Sequence, residues 1–597
     1  MSTSLLKLQI GPVQEFIAQA RSTRDLWSGS YLLSWLMAAG LNELVSLMPE
    51  GSGSALERAE EAVIYPSLRG QPLCHFRRDP ANRGENAASY LTPSLPNLFL
   101  AVLPVSASEA GAIGKNVGAA MEEEWKRIAN WCWMDLDGAG LVAGRFKGKF
   151  DHQVDRWLSV FWQATPWLGD YVKSREENAR QLDAVRRTRS FRAWAVGGWS
   201  VGREQNKDSL TGREEAICGG EEWWNSSCAG NSKWVALFPE KHAGEHFGAI
   251  TLVKRVWHDI YLGSAPWNLR VTKTLPIPST WAVAAHVLGK DESNETDGTS
   301  DGGHFAVLAM DGDKMGERVG KAREKAAQQS LSARLGLFAQ GPAGAVVRDH
   351  HGFVIYAGGD DVLALVPGDE ALECAKALRA KFREVVGDLD LDASAGIAVA
   401  HPKSPLQDVV RAAQQAERRA KRGLQRRAVA VTLLKRSGGL TEWGCKWDSR
   451  GLELLDALVK AVNDKKLSAK APYRLIELLA PYVSQSTPLI REGGKARDDE
   501  RFSAAVEEIV KREFETVLDR QGTYGSSDAP QRAEILSLLD EYLDSLSKEP
   551  LQPAPAESVS NKKAQRALAA MIGLCDVAAF TNRTASPETP PGQSQPA

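Results

Sequence analysis

Four carboxylates in two short motifs are the residues of this chain best suited to chemistry. Asp360 and Asp361 close the motif GGDD (358–361), and Asp311 and Asp313 belong to DGDK (311–314). Adjacent carboxylates at a tight turn repel one another unless water or a cation screens them, and a divalent ion with oxygen ligands does so. Gly358 and Gly359 leave the backbone open to a bulky anion such as a phosphate. The candidate catalytic and metal-holding residues are therefore Asp311, Asp360 and Asp361, with the backbone carbonyl of Gly312 as a further metal ligand. Gly358, Gly359 and Lys314 are the candidate nucleotide contacts, and Asp313 has a secondary role, since strand alternation turns it to the opposite face. Taken alone, GGDD is equally an ordinary Gly-Gly turn with two solvated acids. The second acidic motif is what points to a cation.

The elements around these motifs decide whether the acids meet. GFVIYAGGDDVLALVP (352–367) is two apolar, β-branched runs separated by a turn signal, which predicts a hairpin. Upstream, HFAVLAM (304–310) has strand length and composition. Between them a helix is predicted over 315–338, stopped by Gly341-Pro342. After the hairpin, 369–386 reads as an amphipathic helix, 393–401 as a strand and 405–422 as a helix. The order βαββαβ is that of a ferredoxin-like unit. There the first strand neighbours the hairpin, so Asp311 and the Asp360-Asp361 pair converge on one sheet edge, the arrangement a two-metal phosphoryl-transfer centre needs.

With DGDKMG (311–316), GGDD, SAGIA (394–398) and HPKSPL (401–406) at this spacing, the chain resembles the large, polymerase- and cyclase-like subunit of type III-B CRISPR effector complexes, the Cmr type. IGPVQEFI (10–17), ARSTRDLWSGSYLLS (20–34), PNLFLA (96–101) and IPST (277–280) are similar to that family's landmarks too. The resemblance implies an α+β architecture of two ferredoxin-like, nucleotidyl cyclase-like palm domains, with an intervening Trp-rich domain and a C-terminal helical domain. It implies conversion of ATP to cyclic oligoadenylate with Mg²⁺ or Mn²⁺, made when a guide-RNA complex captures target RNA. It also implies partners: guide RNA, target RNA, and the backbone, small and guide-end-capping subunits of the Cmr type. The alternatives are a structural subunit that binds nucleotide without catalysis, and a GTP-using cyclic dinucleotide synthase; against the second, Val362 stands where the GGDEF signature has Phe.

At 597 residues the chain is too long for one core. The expected division is a first palm lacking catalytic acids over 1–170, an intervening α-rich unit with its linker over 171–300, the second palm over 301–439, a helical unit over 440–583 and a tail over 584–597. In the first unit, Arg21, Arg24 and Ser28-Gly29-Ser30 are either near a nucleotide or part of close helix packing. Fourteen of the 18 tryptophans lie between 125 and 281, which favours a Trp-rich core over base-stacking surfaces. The family often carries a four-cysteine zinc element about here. This chain keeps only Cys218 and Cys228, with 207–212 (KDSLTG) where a cysteine pair would be, so zinc is doubtful. Residues 291–303 read as an acidic linker, 484–500 as a polar loop and 550–556 as a Pro-rich linker.

Arg411, Arg418, Arg419, Lys421, Arg422, Arg426 and Arg427 form a basic run that suits phosphate or RNA, or else a solvated helix face with pairs such as Glu417 to Lys421. Family members often begin with an HD-type nuclease domain. Here the palm pattern starts at residue 5, and neither His258-Asp259 nor Asp349-His350 has the spaced partners of a dinuclear site, so metal-dependent DNA cutting is not expected. A net charge of −2 gives no overall basic signature. The seven cysteines form no disulfide pattern, and no apolar run has membrane-spanning length, so no membrane contact and a cytoplasmic location are expected.

Overall fold

A computed structural model of the chain describes residues 2–81, 87–188, 206–287, 303–387, 391–485, 497–524, 529–548 and 559–584. The predicted linker over 291–303 falls almost wholly outside these residues, as do the Pro-rich segment, most of the 484–500 loop and the tail. No helix of the described residues is long and apolar enough to cross a membrane.

The amino-terminal half is built on a four-stranded antiparallel sheet of β1 (Ser4–Gly11), β2 (Val63–Tyr65), β3 (Leu98–Leu103) and β4 (Ser159–Pro166), in the order β2-β3-β1-β4. Helix Thr23–Ser46 lies between β1 and β2, and helix Ala107–Gly138 between β3 and β4. This is the ferredoxin-like order. Ser22 caps the first helix by accepting from the Asp25 N–H, and a Ser106–Glu109 capping box starts the second. Leu6, Leu8 and Ile10 alternate into the main core, whereas Leu5 packs on the other face with Ile64, Leu100 and Tyr171.

Helix Thr23–Ser46 is buried on nearly every side, and helix Ala249–Ile260 from the Trp-rich region covers it. Small residues allow that approach: a Cβ on Gly29 would lie 2.6 Å from Lys254 Cε. Ser28 Oγ donates to the Lys254 carbonyl and accepts from Trp257 Nε1. The Ser28-Gly29-Ser30 trio is thus a helix-packing device. Arg24 donates to the Ala236 carbonyl, and Arg21 pairs with Glu245. Among the described residues, six tryptophans of the 125–281 stretch, Trp125, Trp257 and Trp267 included, are buried in this same core, while Trp131 is exposed. A two-stranded ladder of β5 (Cys218–Gly219) and β6 (His246–Phe247) sits beside them.

The second half is organised on six strands: β7 (Phe305–Gly312), β8 (Phe353–Gly358), β9 (Asp361–Pro367), β10 (Ala393–Ala400), β11 (Ala428–Leu434) and β12 (Leu440–Lys446). Their order is β12-β11-β10-β7-β9-β8, with only the β10–β11 pair parallel. The run β10-β7-β9-β8 repeats the ferredoxin-like order. Phe305, Val307 and Ala309 join the core of the amino-terminal half, and Ala306, Leu308 and Met310 join the core with the carboxy-terminal helices. Burial on both faces explains why 304–310 is apolar without alternation.

Some elements differ from the sequence reading. The helical stretch after DGDK is two helices, Met315–Lys321 and Lys325–Gln340, the second ending at Gly341 as expected. Pro342 then also opens a further helix, Pro342–Asp349, because its fixed φ and missing N–H suit a first turn. The helix beginning at Leu406 changes to a wider turn over Arg419–Gly423. β12, assigned from sequence to the helical unit, is the sheet's edge strand. Five helices follow, Arg450–Asn463, Ala471–Gln485, Arg497–Gln521, Ala529–Lys548 and Val559–Thr584.

Arg255 ties the two helices of the first core together. Its guanidinium donates to both Asp25 carboxylate oxygens, at 3.1 and 2.6 Å, and to Glu245 at 2.9 Å, all three side chains being buried. Burial alone would raise the Asp25 carboxyl, but Arg255 holds it down to about 2. Removing one partner strands a buried charge. Asp25→Ala is expected to cost about 3–5 kcal/mol and to lower the first unfolding midpoint in calorimetry, with Asp25→Asn, which keeps hydrogen bonds, milder. An unchanged midpoint for Asp25→Ala would show that the pair does not hold the helices together.

Candidate functional site

The hairpin loop is two residues long. Gly358 pairs with Asp361, leaving Gly359 and Asp360 as the central positions, and only Gly359 is left-handed, at φ +87°. This is the II′ pattern, in which glycine takes the first central place. β7 lies between β9 and β10, with Met310 opposite Val362, so the chain delivers Asp311 beside the turn. One carboxylate oxygen each from Asp311, Asp360 and Asp361 lies within 4.8 Å of the others. Gly312 makes the approach possible: a Cβ there would stand 2.8 Å from the Asp360 Cβ. At Gly358 a Cβ would run into the Tyr356 ring, so this glycine accommodates the phenol.

The surroundings work against ionised acids. The protein walls push the Asp360 carboxyl well up, and the neighbouring Asp361 charge pushes it further; Asp361 rises through the same desolvation, although it opens on the cleft. Glu417 is pushed up to about 7 by burial and then by Asp361. The Tyr65 and Tyr356 phenols are held far above their usual range by burial and by the two aspartates, so they remain O–H donors. The compensating cation is Lys421. Its ammonium pairs with Asp311 and lies 3.1 Å from Glu417, and burial, with Arg426 nearby, lowers it to about 8. An all-oxygen set of three carboxylates suits a hard divalent cation of the Mg²⁺ or Mn²⁺ class.

The structure brings Asp311, Gly312, Gly358, Gly359, Asp360 and Asp361 together. Asp313 is turned away and buried. It accepts from Ser394 Oγ at 2.8 and 3.0 Å and from the Arg427 N–H at 2.8 Å, stapling β10 to the start of β11. Lys314 takes a left-handed conformation at the start of its helix, and its ammonium stands 3.7 Å from Glu317. Glu417, Lys421, Tyr65 and Tyr356 were not among the residues assigned to the site. The Glu417–Lys421 spacing marks a helical pair, and nothing in that spacing says that the pair faces β7. Elsewhere in the basic run, Arg411 pairs with Asp408 and Arg419 with Glu442.

Asp311, Asp361 and Glu417 open on a cleft of about 1330 Å³ between the two sheets. One wall carries both signs of charge, Arg156, Arg186 and Arg213 with Glu15, Glu122 and Asp155, Arg213 pairing with Glu15, and the other carries Asp311, Asp361 and Glu417. In the Trp-rich region, Asp208 occupies the KDSLTG turn and accepts N–H groups from Leu210, Thr211 and Gly248 at 3.0, 2.8 and 2.8 Å. A carboxylate thus closes the loop where a cysteine pair would stand. Burial raises the thiols of Cys218 and Cys228. His258 is a core residue packed on Trp27.

Two family models match the chain. Residues 5–130 match the N-terminal domain of the CRISPR-associated protein Cmr2, and residues 304–430 the second palm domain of Cas10/Cmr2. The CRISPR system Cmr subunit Cmr2 of Pyrococcus furiosus is 25% identical over 562 residues, covering 73% of this chain and 62% of that protein. The chain therefore spans less than two thirds of the length of this curated relative. Among solved structures, a type III-B Cmr-beta complex in its apo state has a chain that superposes with a TM-score of 0.61 at 13% identity, covering 86% of this chain and 77% of that one. The same kind of complex bound to cognate target RNA gives a TM-score of 0.58 at 13% identity over 86% and 78%. The second-palm match takes in all three clustered acids; over residues 5–130 and 304–430 the chain carries the Cmr2 N-terminal and Cas10/Cmr2 second-palm domains, and as a whole it resembles the Cmr2 subunit of type III-B complexes.

Proposed function

We propose that the chain converts ATP to cyclic oligoadenylate by metal-dependent 3′–5′ nucleotidyl transfer, as the large subunit of a guide-RNA-directed type III-B complex acting in the cytoplasm. The observation that carries this reading is the meeting of Asp311 with Asp360 and Asp361 at the mouth of the cleft between the sheets. A cleft of about 1330 Å³ exceeds what one drug-sized ligand needs and suits two nucleotides side by side. When bound, Mg²⁺ or Mn²⁺ would supply activation of a ribose 3′-hydroxyl and charge neutralisation at the attacked α-phosphate.

The residues of the chain have separate tasks. Asp311, Asp360 and Asp361 hold the cation, and Gly312 keeps the turn against β7. Gly359 leaves the backbone open to phosphate. Lys421 neutralises Asp311, a charge that a divalent ion would replace, and the facing wall offers Arg156, Arg186 and Arg213 alongside Glu15, Glu122 and Asp155. Guide RNA, target RNA and the other Cmr-type subunits are the proposed partners, in keeping with the target-RNA-bound complex among the structural relatives.

The assembled complex, incubated with target RNA, Mn²⁺ and labelled ATP or GTP, is expected to yield cyclic oligoadenylates from ATP by mass analysis. Asp360→Ala with Asp361→Ala should reduce product by at least about two orders of magnitude. It should leave RNA assembly and the unfolding midpoint intact, since it removes repelling charges and no core volume. Bound but unconverted ATP, or undiminished product from the double variant, would overturn the catalytic reading.

Raised carboxyl pKa values also set a pH dependence. The folded chain holds protons on Asp360 and Asp361 that the unfolded chain has lost, so their contribution to stability falls as pH rises from the ordinary carboxylate range towards neutrality. A cation must displace those protons. Mn²⁺ affinity measured by calorimetric titration should therefore increase from pH 5.5 to 7.5, with net proton release. Lys421→Met removes the competing cation and should tighten Mn²⁺ binding at both pH values. Affinity independent of pH, or weakened by Lys421→Met, would contradict this electrostatic account.

A further inference from the structure

Away from the acidic cleft, five side chains able to bind metal meet where three separate segments come together. His286 follows the helix Thr280–Ala284, His350 and His351 follow the helix Pro342–Asp349, and Asp369 and Glu370 form the turn between β9 and the helix Ala371–Val386. Glu370 is the hub. Its Oε1 lies 2.7 Å from His351 Nδ1 and 3.2 Å from His286 Nδ1, and its Oε2 lies 3.2 Å from His350 Nδ1. The other ring nitrogen of His286, Nε2, is 3.0 Å from Asp369 Oδ1. One ligand atom each from His286, His351 and Glu370 falls within 4.8 Å of the others.

The backbone supports a reason beyond chance proximity. His286 and His351 are both left-handed, at φ +56° and +50°, a conformation that non-glycine residues seldom adopt. Both imidazoles are thereby turned onto the same carboxylate, with ring centroids 5.4 Å apart. Strain that converges on a cluster of donor atoms from distant segments is a mark of a functional constraint.

We propose that His286, His351 and Glu370 form a binding site for a transition-metal ion of the Zn²⁺ or Ni²⁺ class, with His350 holding the other oxygen of Glu370. The chemistry separates it from the cleft: imidazole nitrogen with one carboxylate favours zinc or nickel, whereas three carboxylates favour magnesium or manganese. Zinc bonds of roughly 2.0–2.2 Å set tetrahedral donors about 3.3–3.6 Å apart, so the 2.7 and 3.2 Å separations of Glu370 Oε1 from His351 and His286 would open slightly, a change within side-chain torsions. His286 binds through Nδ1 while Nε2–H donates to Asp369, the carboxylate–histidine–metal arrangement that fixes ring orientation. Glu370 precedes the helix Ala371–Val386, and His351 lies just before β8. The site is at the far end of the hairpin from Asp360, roughly 20 Å away along a six-residue strand. A metal there fastens the end of the helix Thr280–Ala284 to the base of the second sheet, independently of any reaction in the cleft.

The test uses the full chain, stripped with chelator and titrated with Zn²⁺, Ni²⁺ and Co²⁺ in excess Mg²⁺. One equivalent of Zn²⁺ is expected by metal analysis, with a raised unfolding midpoint and the intense visible absorption of four-coordinate Co²⁺. His286→Gln, His351→Gln and Glu370→Gln should each weaken Zn²⁺ binding by about tenfold or more, while Asp360→Asn with Asp361→Asn leaves it unchanged. Circular dichroism of each metal-free variant keeps misfolding distinguishable from lost ligation. Zinc that is absent from the wild-type chain, that survives the histidine changes, or that is lost instead with Cys218→Ser and Cys228→Ser would overturn the assignment.

Discussion

Three carboxylates held at one point are the constraint on which this structure turns. Asp311, Asp360 and Asp361 lie close enough to share a cation, and burial resists ionisation of Asp360 and Asp361. Such a cluster persists only if the fold over-determines it. β7 is placed in the middle of a sheet buried on both faces, the hairpin register leaves only two loop residues, and Gly312 lets the turn close against the strand. Lys421 then supplies the neutralising charge from the helix side. Stability is given up at this point and recovered in the apolar cores on either side of the sheet.

The amino-terminal half repeats the strand order without the acids and contributes the facing wall. Its helix Thr23–Ser46 is pinned by helix Ala249–Ile260 through Ser28, Gly29 and the buried Arg255 pairs, so the Trp-rich region shares one core with the first sheet. Residues 305, 307 and 309 extend that core to the second sheet. The cleft between the two sheets is thus walled by elements that share one core.

Much of this was legible in the sequence because it follows from local period and topology. The apolar runs around GGDD specify a hairpin, and βαββαβ order makes Asp311 its neighbour although the two motifs are far apart in the chain. What was not legible depends on which way a helix faces. Glu417 and Lys421 read as a surface pair, and only the packing of their helix on β7 and β10 turns them into the site. Gly341-Pro342 reads as a stop, which it is, and the helix that Pro342 opens straight after it falls outside that reading. The exposed character of β12, an edge strand with polar alternation, hid it from an apolar-run criterion. His286, His350 and His351 carry no shared motif, and only the fold brings them to Glu370.

The most direct measurement of the shared acidic site is a double-mutant cycle on ATP turnover by the assembled complex, with Asp311→Ala, Asp360→Ala and both together. If the two residues hold one cation, each single change abolishes turnover about as fully as the pair, because groups that act as one unit are not additive. Substantial turnover by Asp311→Ala, or losses that simply multiply in the double variant, would contradict a single centre built from β7 and the hairpin.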